Sequence, residues 1–110
     1  MSSEIYDAFR ASREQDKIDG TERRHLAAGD AATAGAMALE AGMRLIKKDV
    51  YLYQLHGPEN ADGKRWLLNL YPGNRRVYAP KREPKAPFLG LAGVEWTLGD
   101  VVVAAIEKEL

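Results

Sequence analysis

The residues best suited to bind a ligand lie between positions 64 and 85, where basic side chains and aromatic rings are interleaved. This segment holds seven basic residues and one acidic residue, a local net charge of +6 in a chain whose formal net charge is zero. Lys and Arg bind phosphate groups, and aromatic rings stack on bases. The pattern predicts a surface that binds DNA or RNA. We expect phosphate contacts from Arg65, Arg75, Arg76, Lys81, Arg82 and Lys85, and stacking by Trp66, Tyr71 or Tyr78.

Two other interpretations of the basic segment remain open. Its charge could meet an acidic protein, in which case the chain is an adaptor or an inhibitor. It could also be the solvated edge of a sheet, because Lys and Arg on an edge strand discourage pairing with another chain. The neutral total does not decide between them, since residues 1–63 and residues 86–110 each carry a net charge of −3.

The side chains that catalysis or metal binding would need are sparse. The chain has no cysteine, which excludes thiolate metal sites and cysteine nucleophiles. It has no serine beyond Ser12, so a serine nucleophile in the folded core is not expected. His56, Glu59 and Asp62 could form a small acid–base or metal site, but turn residues alone account for that loop. We therefore predict a non-enzymatic protein with no metal and no cofactor.

Length and composition indicate one globular domain over residues 1–110. The chain is 45% hydrophobic and 29% charged, which is typical of a folded domain. The least polar stretch, residues 31–39, is nine residues long, whereas a membrane span needs about 20. The lack of cysteine suits a reducing compartment, and the N-terminal segment has no apolar run. We expect a cytoplasmic protein that makes no contact with membranes.

The residues before position 50 favour helices, and we assign residues 1–48 to a helical region. One helix is expected over residues 3–14 and a second over residues 22–47, separated by a turn at Asp19 and Gly20. The second helix places Ala28, Gly35 and Gly42 at seven-residue spacing, and small residues in register let another backbone approach closely. This seam predicts a helix partner, either within the chain or across a homodimer.

The remaining residues predict a sheet followed by a last helix. Alternating apolar residues indicate strands over 50–56, 65–71 and 75–79, joined by short loops as an antiparallel meander. Residues 80–96 read as a connector because they hold three prolines and two glycines. Thr97 and Asp100 form a capping box for a helix over 97–110. The predicted fold is α+β, with two N-terminal helices, a three-stranded meander and a C-terminal helix packed on the sheet.

Overall fold

The computed structural model describes the backbone of residues 2–109 and the side chains of residues 19–109. These residues form two α-helices and a single four-stranded antiparallel sheet, so the predicted α+β class is confirmed. Pro72–Asn74 adds one turn of 3-10 helix. The elements are, in chain order, α1 (Ser2–Glu40), β1 (Arg44–Lys47), β2 (Tyr53–His56), β3 (Leu67–Tyr71), β4 (Arg76–Tyr78) and α2 (Leu98–Glu109).

The sheet is a simple meander whose strands lie in the order β1-β2-β3-β4. Its register aligns Leu45 with Leu55, Leu55 with Leu68, and Leu70 with Val77. Because side chains alternate across a strand, these residues all lie on one face of the sheet. That inner face is the apolar face of the molecule.

Both helices pack on the inner face and form one core with it. The buried side chains of α2 join Leu55 and Leu68 in a single apolar cluster, and three buried alanines of α1 belong to the same cluster. Burial of these side chains supplies the main stabilisation, at about 25 cal/mol for each Å² of apolar surface. The outer face of the sheet is left without a helix among the described elements. The helical members of the core are Ala27, Ala34, Ala38, Leu98, Val101, Val102 and Ala105.

The two predicted N-terminal helices are one continuous helix, so the turn predicted at Asp19 and Gly20 is wrong. Gly20 is buried where α1 passes the turn after β3, and a Cβ atom there would lie 3.3 Å from the carbonyl oxygen of Gly73. The glycine therefore serves close packing between two backbones instead of a turn. Glycine is favoured both in tight turns and where two backbones approach closely, so the sequence alone does not distinguish the two cases.

The predicted second helix ends seven residues early, and a strand that the sequence did not predict follows it. Gly42 adopts a left-handed φ of +77°, and the Met43 amide donates to the carbonyl of Ala38 at 2.8 Å. The Gly42 amide also donates to the carbonyl of Leu39 at 3.0 Å. These two hydrogen bonds together form the Schellman motif, which commonly ends helices at a glycine. Residues 44–47 are then free to pair with β2, giving four strands where three were predicted.

The alanine face that packs is offset from the predicted seam. Ala34 and Ala38 are fully buried and belong to the same core cluster as α2, whereas Ala28 is exposed. A Cβ atom at Gly35 would have no neighbour within 4 Å. Among the side chains of residues 19–109, the seam of Ala28, Gly35 and Gly42 is therefore not a packing surface. The homodimer through that seam stays a prediction.

The C-terminal half follows the sequence more closely. The predicted capping box is confirmed, because the Asp100 amide donates to Thr97 Oγ1 at 3.0 Å and the Thr97 amide donates to Asp100 Oδ2 at 2.9 Å. In the turn after β3, the residue with a left-handed backbone is Arg75, with φ of 54°.

Candidate functional site

The outer face of the sheet is where the fold leaves polar and aromatic side chains uncovered. Leu55 and Leu68 point into the core, so their neighbours along β2 and β3 point outward. The register then brings side chains from all four strands onto one surface. This outer face carries Arg44 and Ile46 from β1, Gln54 and His56 from β2, Leu67, Asn69 and Tyr71 from β3, and Arg76 and Tyr78 from β4.

A chain of hydrogen bonds crosses the middle of the outer face. His56 Nε2 lies 3.3 Å from Gln54 Oε1, and the Gln54 amide nitrogen donates to Asn69 Oδ1 at 3.0 Å. An amide oxygen can only accept, so the His56 Nε2 proton is the donor in the first bond. Asn69 therefore accepts a hydrogen bond from β2 through its side-chain oxygen, and the same residue lines the depression described next.

Two tyrosines stand beside Asn69 at the β3–β4 end of the outer face. Tyr78 lies directly opposite Asn69, and Tyr71 lies opposite Arg76. Side chains in such pairs have Cβ atoms about 5 Å apart. Together with Asn74 they line a shallow depression of about 280 Å³. Tyr78 is 58% exposed, so much of its side chain is accessible to a ligand.

Positive charge surrounds His56 at the other end of the outer face. Partial burial lowers the pKa of His56, and the cations Arg82, Arg65, Lys48 and Arg44 lower that pKa further. In the same order, these four residues come from the connector, the segment before β3, the turn after β1 and β1 itself. The contribution of the four cations indicates that this end is electropositive, because each cation disfavours a protonated imidazole.

Arg65, a predicted phosphate ligand, is held by the protein backbone. Its Nη1 donates to the carbonyl oxygens of Gly42 at 2.7 Å and of Gly57 at 2.8 Å, and its Nη2 lies 3.9 Å from a Glu59 oxygen. The guanidinium thus joins the end of α1 to the loop after β2. Its charge still reaches His56, but several of its donors are already used.

Arg75 is also engaged within the chain. Its Nη1 lies 3.3 Å from Glu95 Oε1, and Arg23 of α1 binds the same carboxylate at 3.0 Å. Arg23 additionally donates to the carbonyl of Gly73. This cluster fastens the connector before α2 to the turn after β3. Arg75 and its neighbour Arg76 therefore have different surroundings, since only Arg76 lies on the outer face.

Trp66 lies on the core side of the sheet. The residue is 5% exposed, and its indole nitrogen donates to Glu109 Oε1 at 2.7 Å near the end of α2. Its ring packs with the apolar cluster and offers no open face for stacking. The structure thus brings Tyr71 and Tyr78 together and separates Trp66 from them.

The three basic residues of the connector divide between the two sides of the sheet. Arg82 donates to the backbone carbonyl of Arg65 at 3.0 Å, and among the four cations it lowers the pKa of His56 the most. Lys85 lines an apolar groove with Val77 and Phe88, which lies on the inner side of β4. Lys81 is exposed on the connector. Of the three, Arg82 belongs with the outer face.

The alternative site of His56, Glu59 and Asp62 is not assembled as a cluster. His56 is bonded to Gln54, and Glu59 faces Arg65. Across the side chains of residues 19–109, no group of three His, Asp or Glu residues is arranged to hold a metal ion. Over residues 2–109, no helix has the length and apolar character to span a membrane.

The sequence did not single out Arg44, Gln54 or Asn69 as members of the site. Arg44 was assigned to a helix, so its outward position on β1 was not expected. A signal for it was present, since Gly42 fits a helix end and Met43 and Leu45 are apolar residues on either side of Arg44, as in the start of a strand. Gln54 and Asn69 needed the register, which pairs them across β2 and β3.

No protein-family model, curated protein or solved structure matches this chain. The case for a function therefore depends on the chemistry of the outer face alone.

Proposed function

We propose that the chain is a non-enzymatic module that binds nucleic acid on the outer face of its sheet. The observation that carries the proposal is the combination on one uncovered surface of positive charge with accessible tyrosine rings. Cations attract the phosphate backbone, and aromatic rings stack on bases. The residues proposed to bind phosphate are Arg44, Lys48, Arg76 and Arg82, and those proposed to contact bases are Asn69, Tyr71 and Tyr78.

The distribution of charge supports this proposal over a solvated edge. A solvated edge would need cations only along the exposed strand, here β4 or β1. Arg44 and Lys48 belong to the edge strand β1 and its end, but Arg65 and Arg82 come from other segments and also act on His56 of the interior strand β2. Like charges brought together repel one another, so a bound polyanion would relieve a cost that the free protein carries.

The shape of the outer face supports the same ligand. A flat sheet carrying rings and amide groups matches the flat faces and polar edges of bases. The hydrogen bonds from His56 through Gln54 to Asn69 hold the amide groups in fixed orientations. A held donor loses less conformational entropy on binding than a free one, so the surface is prepared for a polar ligand.

The proposal is tested by the salt dependence of binding to labelled oligonucleotides. With four phosphates engaged, log Kd plotted against log salt concentration should have a slope of magnitude about 3 to 4. Arg76→Ala should reduce that magnitude by about 1, because one phosphate contact is lost. Lys108→Ala is the matched control, since Lys108 is an exposed cation on α2, behind the sheet.

An acidic protein partner would give a different pattern. The protein would then bind poly-glutamate with a comparable salt dependence and would leave DNA and RNA unbound at about 50 mM salt. That outcome would overturn the nucleic-acid proposal in favour of a protein-binding surface. Equal effects of Arg76→Ala and Lys108→Ala would place nucleic-acid binding away from the outer face.

A further inference from the structure

The groups on the outer face indicate which form of nucleic acid it binds. We infer that the ligand is single-stranded, with at least one unpaired base stacked on Tyr78 and bonded at its edge to Asn69. This inference rests on the function proposed above and makes it more specific. It rests on the size of the face, on the presence of Asn69 beside the tyrosines in one depression and on the exposure of Tyr78.

The size of the face disfavours a double helix. Four strands spaced about 4.8 Å apart give a surface about 14 Å wide, and the five residues of β3 give it a similar length. The major groove of B-DNA is about 12 Å wide and admits a helix or a two-stranded ribbon. A four-stranded face laid flat against a duplex would touch its phosphates and leave the tyrosines away from the bases.

The depression beside Asn69 suits an unpaired base. Tyr71, Arg76 and Tyr78 line it together with Asn69, whose amide oxygen is already bonded to Gln54. Every base presents hydrogen-bond acceptors on an edge, and these become free when pairing is lost. A ring stacked on Tyr78 would place such an edge near the Asn69 donors. In a duplex, neighbouring base pairs cover both faces of each base, so a paired base cannot stack on Tyr78.

The charge pattern fits a short single strand crossing the sheet. Arg76 lies at the β4 end of the face, while Arg44, Lys48 and Arg82 lie near the β1–β2 end. A strand running between these ends would cross Asn69 and both tyrosines. At about 14 Å, the path accommodates roughly two to three nucleotides, since backbone repeats in extended strands are several ångströms long.

The inference is tested by measuring Kd for one sequence in four forms: single-stranded DNA, single-stranded RNA and the duplex of each. A duplex has the higher charge density, so a site that used charge alone would bind it at least as tightly. We expect at least one single strand to bind about tenfold or more tightly than its duplex at the same salt concentration. The Kd values of the two single strands show whether DNA or RNA is the preferred ligand.

Variants of the tyrosine separate stacking from charge. Tyr78→Ala should weaken single-strand binding about tenfold with the salt slope unchanged, and Tyr78→Phe should retain most of the affinity because the ring remains. Tyr51→Ala is the matched control. Tyr51 is also 58% exposed, but its ring lies beneath the Arg24 guanidinium, 4.9 Å away, beside α1.

The outcomes distinguish this inference from the function on which it rests. Duplex binding equal to or tighter than single-strand binding would overturn the inference and leave nucleic-acid binding in place. If single strands bind but Tyr78→Ala weakens their binding no more than Tyr51→Ala does, the inference is also overturned while nucleic-acid binding stays in place. No binding to any of the four forms would overturn both the inference and the proposed function.

Discussion

At the residue scale, arginines to which the sequence assigns the same role of phosphate binding have different environments in the structure. Arg65 donates to two backbone carbonyls and Arg75 pairs with Glu95, whereas Arg76 stands on the outer face. Local sequence reports charge but not the partners that folding brings from far along the chain. Glu95 lies 20 residues from Arg75, and Gly42 lies 23 residues from Arg65. This separation is why the basic segment was predictable and the division of its roles was not.

His56 makes the proposed site sensitive to pH. Burial and the cations Arg82, Arg65, Lys48 and Arg44 lower the pKa of His56 in the free protein. A bound phosphate chain would neutralise those cations and raise the pKa, so binding takes up a proton. Affinity for nucleic acid should therefore rise as the pH falls through the region below about 6.5, by up to about tenfold per pH unit. Titrations between about pH 5 and 8 measure this effect.

Substitutions of the two histidines provide the controls for this pH dependence. His56→Gln should flatten the pH profile, while His25→Ala should leave it unchanged because His25 is exposed on α1. The lowered pKa also means that the free protein loses stability as the pH falls below about 6.5, since the unfolded chain then binds the proton more readily. A profile of affinity that His56→Gln leaves unaltered would contradict the placement of His56 near bound phosphate.

At the element scale, the sequence predicts where the helical regions lie but not where α1 ends. The region was correctly predicted to be helical, and the capping box of α2 was correctly predicted from Thr97 and Asp100. The end of α1 was missed because Leu45 and Ile46 continue a helical spacing, while the left-handed Gly42 ends the helix before them. Strand pairing of residues 44–47 with β2 then outweighs their local preference, and it completes the outer face.

Two glycine substitutions in this region should have opposite effects on stability. Gly35→Ala should raise the free energy of unfolding by up to about 1 kcal/mol, because the helix gains alanine and a Cβ atom has no neighbour within 4 Å. Gly42→Ala should lower it by about 1–2 kcal/mol, because the left-handed φ of +77° is unfavourable with a Cβ atom. Urea unfolding measures both changes.

The Gly35→Ala variant also tests the predicted homodimer. If two chains meet through the seam of Ala28, Gly35 and Gly42, Gly35→Ala would crowd the contact and destabilise the protein in a concentration-dependent way. Stabilisation that does not change with protein concentration would argue for a solvent-facing seam. Gly29→Ala is the matched control, since Gly29 also lies in α1 with no atom near its Cβ position.

At the scale of the whole molecule, a neutral chain presents a polarised surface. Residues 64–85 carry a net charge of +6, and folding adds Arg44 and Lys48 to the part of this charge that surrounds His56. Both helices cover the opposite face of the sheet through the apolar core. Composition predicted the basic segment, but only the register shows that cations and tyrosines share a face that no described helix covers.

The most direct test of the central claim is an NMR titration of the isotope-labelled protein with a short single-stranded oligonucleotide. The side-chain amide signals of Gln54 and Asn69 report on the outer face, and the indole N–H signal of Trp66 reports on the core side. We predict that both amide signals shift, together with the backbone signals of Arg76 and Tyr78, while the Trp66 signal and the α2 signals stay in place. Shifts confined to α2 or to Trp66, or no shifts at all, would contradict binding at the outer face.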